Sequence, residues 1–85
     1  MSTASTHLNT LKFEDETTPA LLIEAGFGTI EKLEKVTCDA LLQIKGSAGD
    51  FDILNLADLV MTIEDAGVPQ CEFAWLKTAI ALCNT

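Results

Sequence analysis

Residues 21–46 read LLIEAGFGTIEKLEKVTCDALLQIKG, and this stretch decides the fold class. Gly26 stops a helix that carries Leu21, Leu22 and Ala25, because glycine takes the left-handed conformation that closes a helix without a steric penalty. Phe27 then drops toward the core. Thr29 opens a second short helix that turns Ile30, Leu33 and Val36 inward. Thr37 caps a third helix with Leu41, Leu42 and Ile44 apolar, ending at Gly46. No run alternates with a period of two, so nothing in the chain reads as a strand.

Upstream, Thr18 and Pro19 supply an N-cap and a first-turn proline for the first helix. The acids Glu14, Asp15 and Glu16 form a solvated approach to it, with Leu11 and Phe13 tucked against the domain. Residues 1–10, MSTASTHLNT, carry no periodic apolar pattern and read as a flexible leader to a single helical domain over 11–85.

Downstream, residues 46–49 (Gly-Ser-Ala-Gly) make a turn, after which Asp50 or Asp52 caps the longest helix. That helix places Ile53, Leu56, Ala57, Val60 and Ile63 on one stripe and closes at Ala66-Gly67, with Pro69 beyond. Leu54, Leu59 and Met61 widen its apolar surface past one stripe, as befits a central helix. A last helix begins near Glu72 and aligns Phe73, Leu76, Ile80 and Cys83. Phe27, Phe51, Phe73 and Trp75 fall at core spacing; the alternative for Trp75 is an interface anchor.

The chain has 85 residues, enough for one domain with a modest core and little room for a deep substrate pocket. It is 48% hydrophobic and 21% charged, a globular composition. Thirteen acids face five lysines (Lys12, Lys32, Lys35, Lys45, Lys77) with no arginine, for a net charge of −8. Nucleic-acid binding draws most of its affinity from cations that neutralise phosphate, and arginine is its preferred reader. Direct binding to nucleic acid or to an anionic membrane is therefore not expected. The acidity serves either solubility or attraction to a basic protein surface.

Three cysteines, Cys38, Cys71 and Cys83, show no C-x-x-C spacing, and the one histidine, His7, lies in the leader. Neither a zinc site nor a disulfide framework follows, and Cys38 and Cys83 read as buried free thiols in a reducing compartment. No nucleophile elbow, P-loop or zinc-helix motif occurs, so no catalytic residues, cofactor or metal are expected. The N-terminus lacks a signal peptide, and no apolar run is long enough to span a bilayer. The expected location is the cytoplasm, for a host protein or one encoded by a virus or mobile element.

The frame Leu22, Glu24-Ala25-Gly26-Phe27, Thr29-Ile30-Glu31, Leu33, Thr37, Leu41-Leu42 and Ile44-Lys45-Gly46 resembles the helix-hairpin-helix, or SAM-like, domains. These include the N-terminal domain of strand-exchange recombinases and the C-terminal domain of the RNA polymerase α subunit. The resemblance implies an all-α fold, a compact bundle of four or five short helices with a SAM-like core. In that family a hairpin of glycines, an apolar residue and a basic residue holds a phosphate. The corresponding residues here are Gly46-Ser47-Ala48-Gly49-Asp50-Phe51-Asp52, which present two aspartates in that place. A weaker resemblance links residues 52–66, DILNLADLVMTIEDA, to acyl carrier proteins. Their modifiable serine corresponds to Ile53, read here as a packing position.

The function expected from these features is that of a small, acidic, non-enzymatic adaptor or regulator that binds a protein with a basic surface. One form of it is an inhibitor from a phage or mobile element that mimics DNA. The candidate contact residues are Asp50, Asp52, Asp58, Glu64, Asp65 and Glu72. With Lys77 alone opposing these six acids, residues 46–85 carry −5, against −3 for residues 1–45 with seven acids and four lysines. A degenerate helix-hairpin-helix DNA-binding domain and a carrier-like domain without the serine are the alternatives. Oligomeric state is not legible in the sequence.

Overall fold

The computed structural model describes residues 7–68 and 73–83. Among them the chain forms five α-helices and one small hairpin: α1 Thr17–Glu24, α2 Ile30–Leu33, α3 Cys38–Leu42, β1 Lys45–Gly46, β2 Gly49–Asp50, α4 Ile53–Asp65 and α5 Ala74–Cys83. The architecture is mostly helical, as the punctuation of residues 21–46 implies. Helix α4, of 13 residues, is the longest of these and packs against α1, α3 and most extensively α5.

Two helices end in the same way, and for the same chemical reason. After α1, Gly26 takes φ +95°, its N–H reaches the Ile23 carbonyl, and the Phe27 N–H reaches the Leu22 carbonyl at 2.8 Å. After α4, Gly67 takes φ +75°, with the Gly67 N–H on Glu64 and the Val68 N–H on Ile63. This double bond pattern satisfies carbonyls that the helix leaves open and folds the next apolar residue back. Val68 is accordingly buried and Phe27 half-buried against the core.

The core brings together Leu21, Leu22, Ile30, Leu33, Leu41, Phe51, Leu56, Leu59 and Ile63 with Phe73, just before the last helix, and Trp75, Leu76 and Ala79 within it. Trp75 is core: it is 2% exposed, and its indole N–H donates to the Leu33 carbonyl. Phe73 meets it edge-on at 5.8 Å between ring centroids, a favoured aromatic geometry.

Four boundaries differ from the sequence reading. The chain does contain strands: β1 and β2 pair antiparallel, Lys45 with Asp50 and Gly46 with Gly49. At two residues each they are too short to show alternation. Helix α3 consequently ends at Leu42, not Gly46. Thr18 does not cap α1. It lies in the first turn, fully buried, while Asp15 takes the Thr17 N–H at 2.9 Å and the Thr17 hydroxyl at 2.7 Å. Those two bonds, the backbone one first, hold the Asp15 carboxyl below its ordinary value. Finally, the leader boundary at residue 10 falls inside structure. Leu8 is 0% exposed, its N–H donates to Gly28 at 3.0 Å, and residues 8–10 form a 3-10 turn.

The burial of Leu8 generates the first prediction. Truncating a fully buried leucine removes transfer energy and leaves a cavity, so Leu8→Ala should cost about 2–4 kcal/mol in a urea melt. A variant as stable as the wild type would show that residues 7–10 contribute nothing to the fold.

Candidate functional site

The polar residues of α4 define the site. Asn55, Asp58 and Thr62 all sit on its buried side, where each must find a partner. At the N-terminus Asp52 accepts the Leu54 and Asn55 N–H groups at 3.0 and 3.1 Å, and Asn55 Oδ1 accepts the Asp52 N–H at 3.1 Å. This reciprocal pair is a capping box. Asn55 Nδ2 then donates to Thr18 Oγ1 at 2.9 Å, and the Thr18 hydroxyl donates to Asp58 Oδ2 at 3.0 Å. Thr62 closes the series with a 2.7 Å bond to the Asp58 carbonyl. Among the described residues no buried side-chain polar atom lacks a partner.

Asp58 also reaches out to the preceding loop. Its two oxygens accept the backbone N–H groups of Glu14 and Asp15, each at 3.0 Å. The loop is thereby laid along α4 with its side chains facing solvent, and Glu14, Asp15 and Glu16 are all exposed. Between this loop and the helix runs an open groove of about 730 Å³, floored by Leu54, Ala57 and Met61 and edged by the three loop acids. Leu54 is 75% exposed and Met61 51%, which makes them the most exposed large apolar side chains described. A second groove, of about 260 Å³, shares Ala57 and Met61 and continues past Glu64 to Ile80 and Cys83 on α5. No lysine lines either one.

The six acids expected to meet a partner are placed differently from one another. Asp58 is a correction: it is buried, and its carboxylate is taken up by the chain's own donors. Asp52 is exposed, with one oxygen engaged as the helix cap. Asp50 is exposed in β2, on the hairpin, while Glu64 and Asp65 are exposed near the end of α4. Glu72 lies outside the described residues. The acids nearest the apolar groove are Glu14, Asp15 and Glu16, which the sequence presented only as a solvated run.

Ile53 is a second correction. It is 40% exposed at the first position of α4, although it shares the helical stripe of Leu56 and Val60. Leu54 and Met61 lie off that stripe, and the buried side of α4 is filled by Leu56, Leu59, Val60 and Ile63. Exposure of position 53 is what a carrier domain would require of a modification site. An isoleucine, however, offers no nucleophile to modify.

The turn between β1 and β2 is engaged from within the chain. Glu24 accepts the Ser47 N–H at 3.1 Å and the Ser47 hydroxyl at 3.2 Å through Oε2. Gly46 permits this approach, since a Cβ there would lie 2.6 Å from Glu24 Oε2 and 2.7 Å from Leu21 Cδ2.

Cys38 is buried and Cys83 half-buried, both as free thiols. Burial pushes both thiols up, with the charge of Asp39 adding to the effect at Cys38, so they stay protonated and weakly nucleophilic at neutral pH. Cys71 lies outside the described residues. Among the described residues no group of His, Cys, Asp or Glu is arranged to hold a metal ion, and no helix is long and apolar enough to cross a membrane. Comparison with known proteins gave no match to a family, to a curated protein or to a solved structure.

Two substitutions on α4 should separate buried work from exposed surface. Asp58→Ala leaves three donors without their acceptor and should cost about 2–4 kcal/mol. Ile53→Ser, at an exposed helix start, should stay within about 1 kcal/mol of wild type. Urea melts check both, and a reversal of their order would mean that the packing of α4 is assigned to the wrong side.

Proposed function

We propose that this chain is a small, non-enzymatic adaptor or regulator that binds another protein, and that it does so through the exposed face of α4. The observation that carries this reading is the pairing of Leu54 and Met61, exposed at 75% and 51%, with a rim of Glu14, Asp15 and Glu16 and no lysine. Large apolar side chains held in water beside polar rims mark interaction surfaces. Methionine suits such a face because its flexible, polarisable side chain adapts to a partner. The finer architecture that accords with this proposal is a SAM-like, helix-hairpin-helix core, and a cytoplasmic setting suits its free thiols. An inhibitor that presents acids as DNA does, encoded by a phage or mobile element, is one biological form of the same activity.

Nucleic acid is the less favoured partner. The net charge of −8 opposes it, and Glu24 occupies the hairpin amide that would take a phosphate. Gel shifts with duplex and single-stranded DNA at low salt should show no complex at micromolar protein. A complex that weakens steeply with salt, the signature of counterion release, would return the helix-hairpin-helix reading to first place.

The protein-binding reading itself is tested with a photo-crosslinking amino acid placed at Met61 or, as a control, at exposed Glu31 on α2. In the cells that make the protein, position 61 should yield a discrete protein adduct that position 31 does not. Identical adduct patterns from the two positions would overturn the assignment of this face.

A further inference from the structure

Building on the α4 face as a docking surface, we infer that its occupant is a basic amphipathic helix of a partner protein. The two grooves share Ala57 and Met61, so they form one apolar channel from the 14–17 loop across α4 to Ile80 and Cys83. Leu54 and Met61 stand seven residues apart, about 10 Å along the helix axis at 1.5 Å per residue. That is the spacing at which a facing helix presents apolar residues two turns apart.

The backbone of the occupant decides between helix and strand. An extended segment needs a sheet edge to take its N–H and C=O groups, and the strands described here are two residues long and lie on the hairpin. Laid over Leu54, Ala57 and Met61, an extended chain would bury polar backbone without partners, whereas a helix satisfies its own. Charge decides the rest. Glu14, Asp15 and Glu16 line the first groove and Glu64 the second, so lysines or arginines flanking the apolar stripe of the occupant would meet acids along the channel. A second copy of this chain would set acid against acid at −8 apiece, and an anionic bilayer is repelled for the same reason.

The test uses the full chain and a synthetic, end-blocked peptide of about 16 residues, with leucines at i, i+3 and i+7 and lysine or arginine on its flanks. A scrambled peptide of identical composition is the control. The expected result is saturable binding of the patterned peptide, with amide shift changes confined to residues 14–17, 54–64 and 80–83. Leu54→Asp and Met61→Asp, exposed positions whose melts should match wild type, should each weaken it at least about tenfold, equivalent to about 1.4 kcal/mol. Glu31→Gln, away from the channel, should leave it unchanged. Equal binding of the scrambled peptide would reduce the effect to bulk charge and overturn the inference. So would a dimer in sedimentation equilibrium that Met61→Asp dissolves, since the occupant would then be a second copy. If position 61 crosslinks a protein in cells while the patterned peptide does not bind, the docking face stands and the helical, basic occupant falls. If neither occurs, both fall.

Discussion

One buried carboxylate organises the functional end of this molecule. Asp58 projects from the buried side of α4 and accepts the backbone N–H groups of Glu14 and Asp15 together with the Thr18 hydroxyl, all at 3.0 Å. Burying a charge is costly unless it is hydrogen-bonded, and here three donors from one short segment bond to it. The consequence runs in both directions. The donors keep the carboxylate satisfied, and the carboxylate fixes where the chain enters α1. Thr18 is drawn into the core instead of capping the helix, so Asp15 takes over the first turn through Thr17. An internal acid therefore fixes the backbone from which three external acids project.

Much of the architecture was legible in the chain because helix punctuation is local chemistry. The Gly-apolar pairs at 26–27 and 67–68 end α1 and α4 where they stand, and Thr37 and Asp52 cap the helices that follow them. The fates of Leu8 and Thr18 were not legible, since each depends on a distant partner: Gly28 for one, Asp58 and Asn55 for the other. A signal for the network was present nonetheless. Asn55, Asp58 and Thr62 repeat at spacings of three and four, so three polar residues share one side of an otherwise apolar helix. Such a stripe points either to solvent or to a buried polar network. The apolar spacing of α4 identifies Leu56, Val60 and Ile63 as buried, as they are, but it does not distinguish Asp58 from the exposed acids or Ile53, Leu54 and Met61 from the packed apolar residues.

The exposed surface follows from that division. Once Leu56, Leu59, Val60 and Ile63 fill the core side, Leu54 and Met61 have nowhere to go but outward, beside the loop that Asp58 holds. The hairpin offers a parallel case. Glu24 takes the Ser47 amide, and Gly46 makes room for it. In both places the chain binds its own backbone with its own acids, Asp58 buried and Glu24 at the surface.

The central claim is that Asp58 fixes the 14–16 loop along α4 and so preforms the docking face. Hydrogen exchange at the Glu14 and Asp15 amides, followed by NMR in the wild type and in Asp58→Asn, tests it most directly. Both amides should exchange far more slowly than in an unstructured peptide. In Asp58→Asn their protection should fall selectively, while the amides of α5 around Trp75 keep theirs. Exchange of Glu14 and Asp15 at unstructured rates in the wild type, or unchanged protection in Asp58→Asn, would contradict the account.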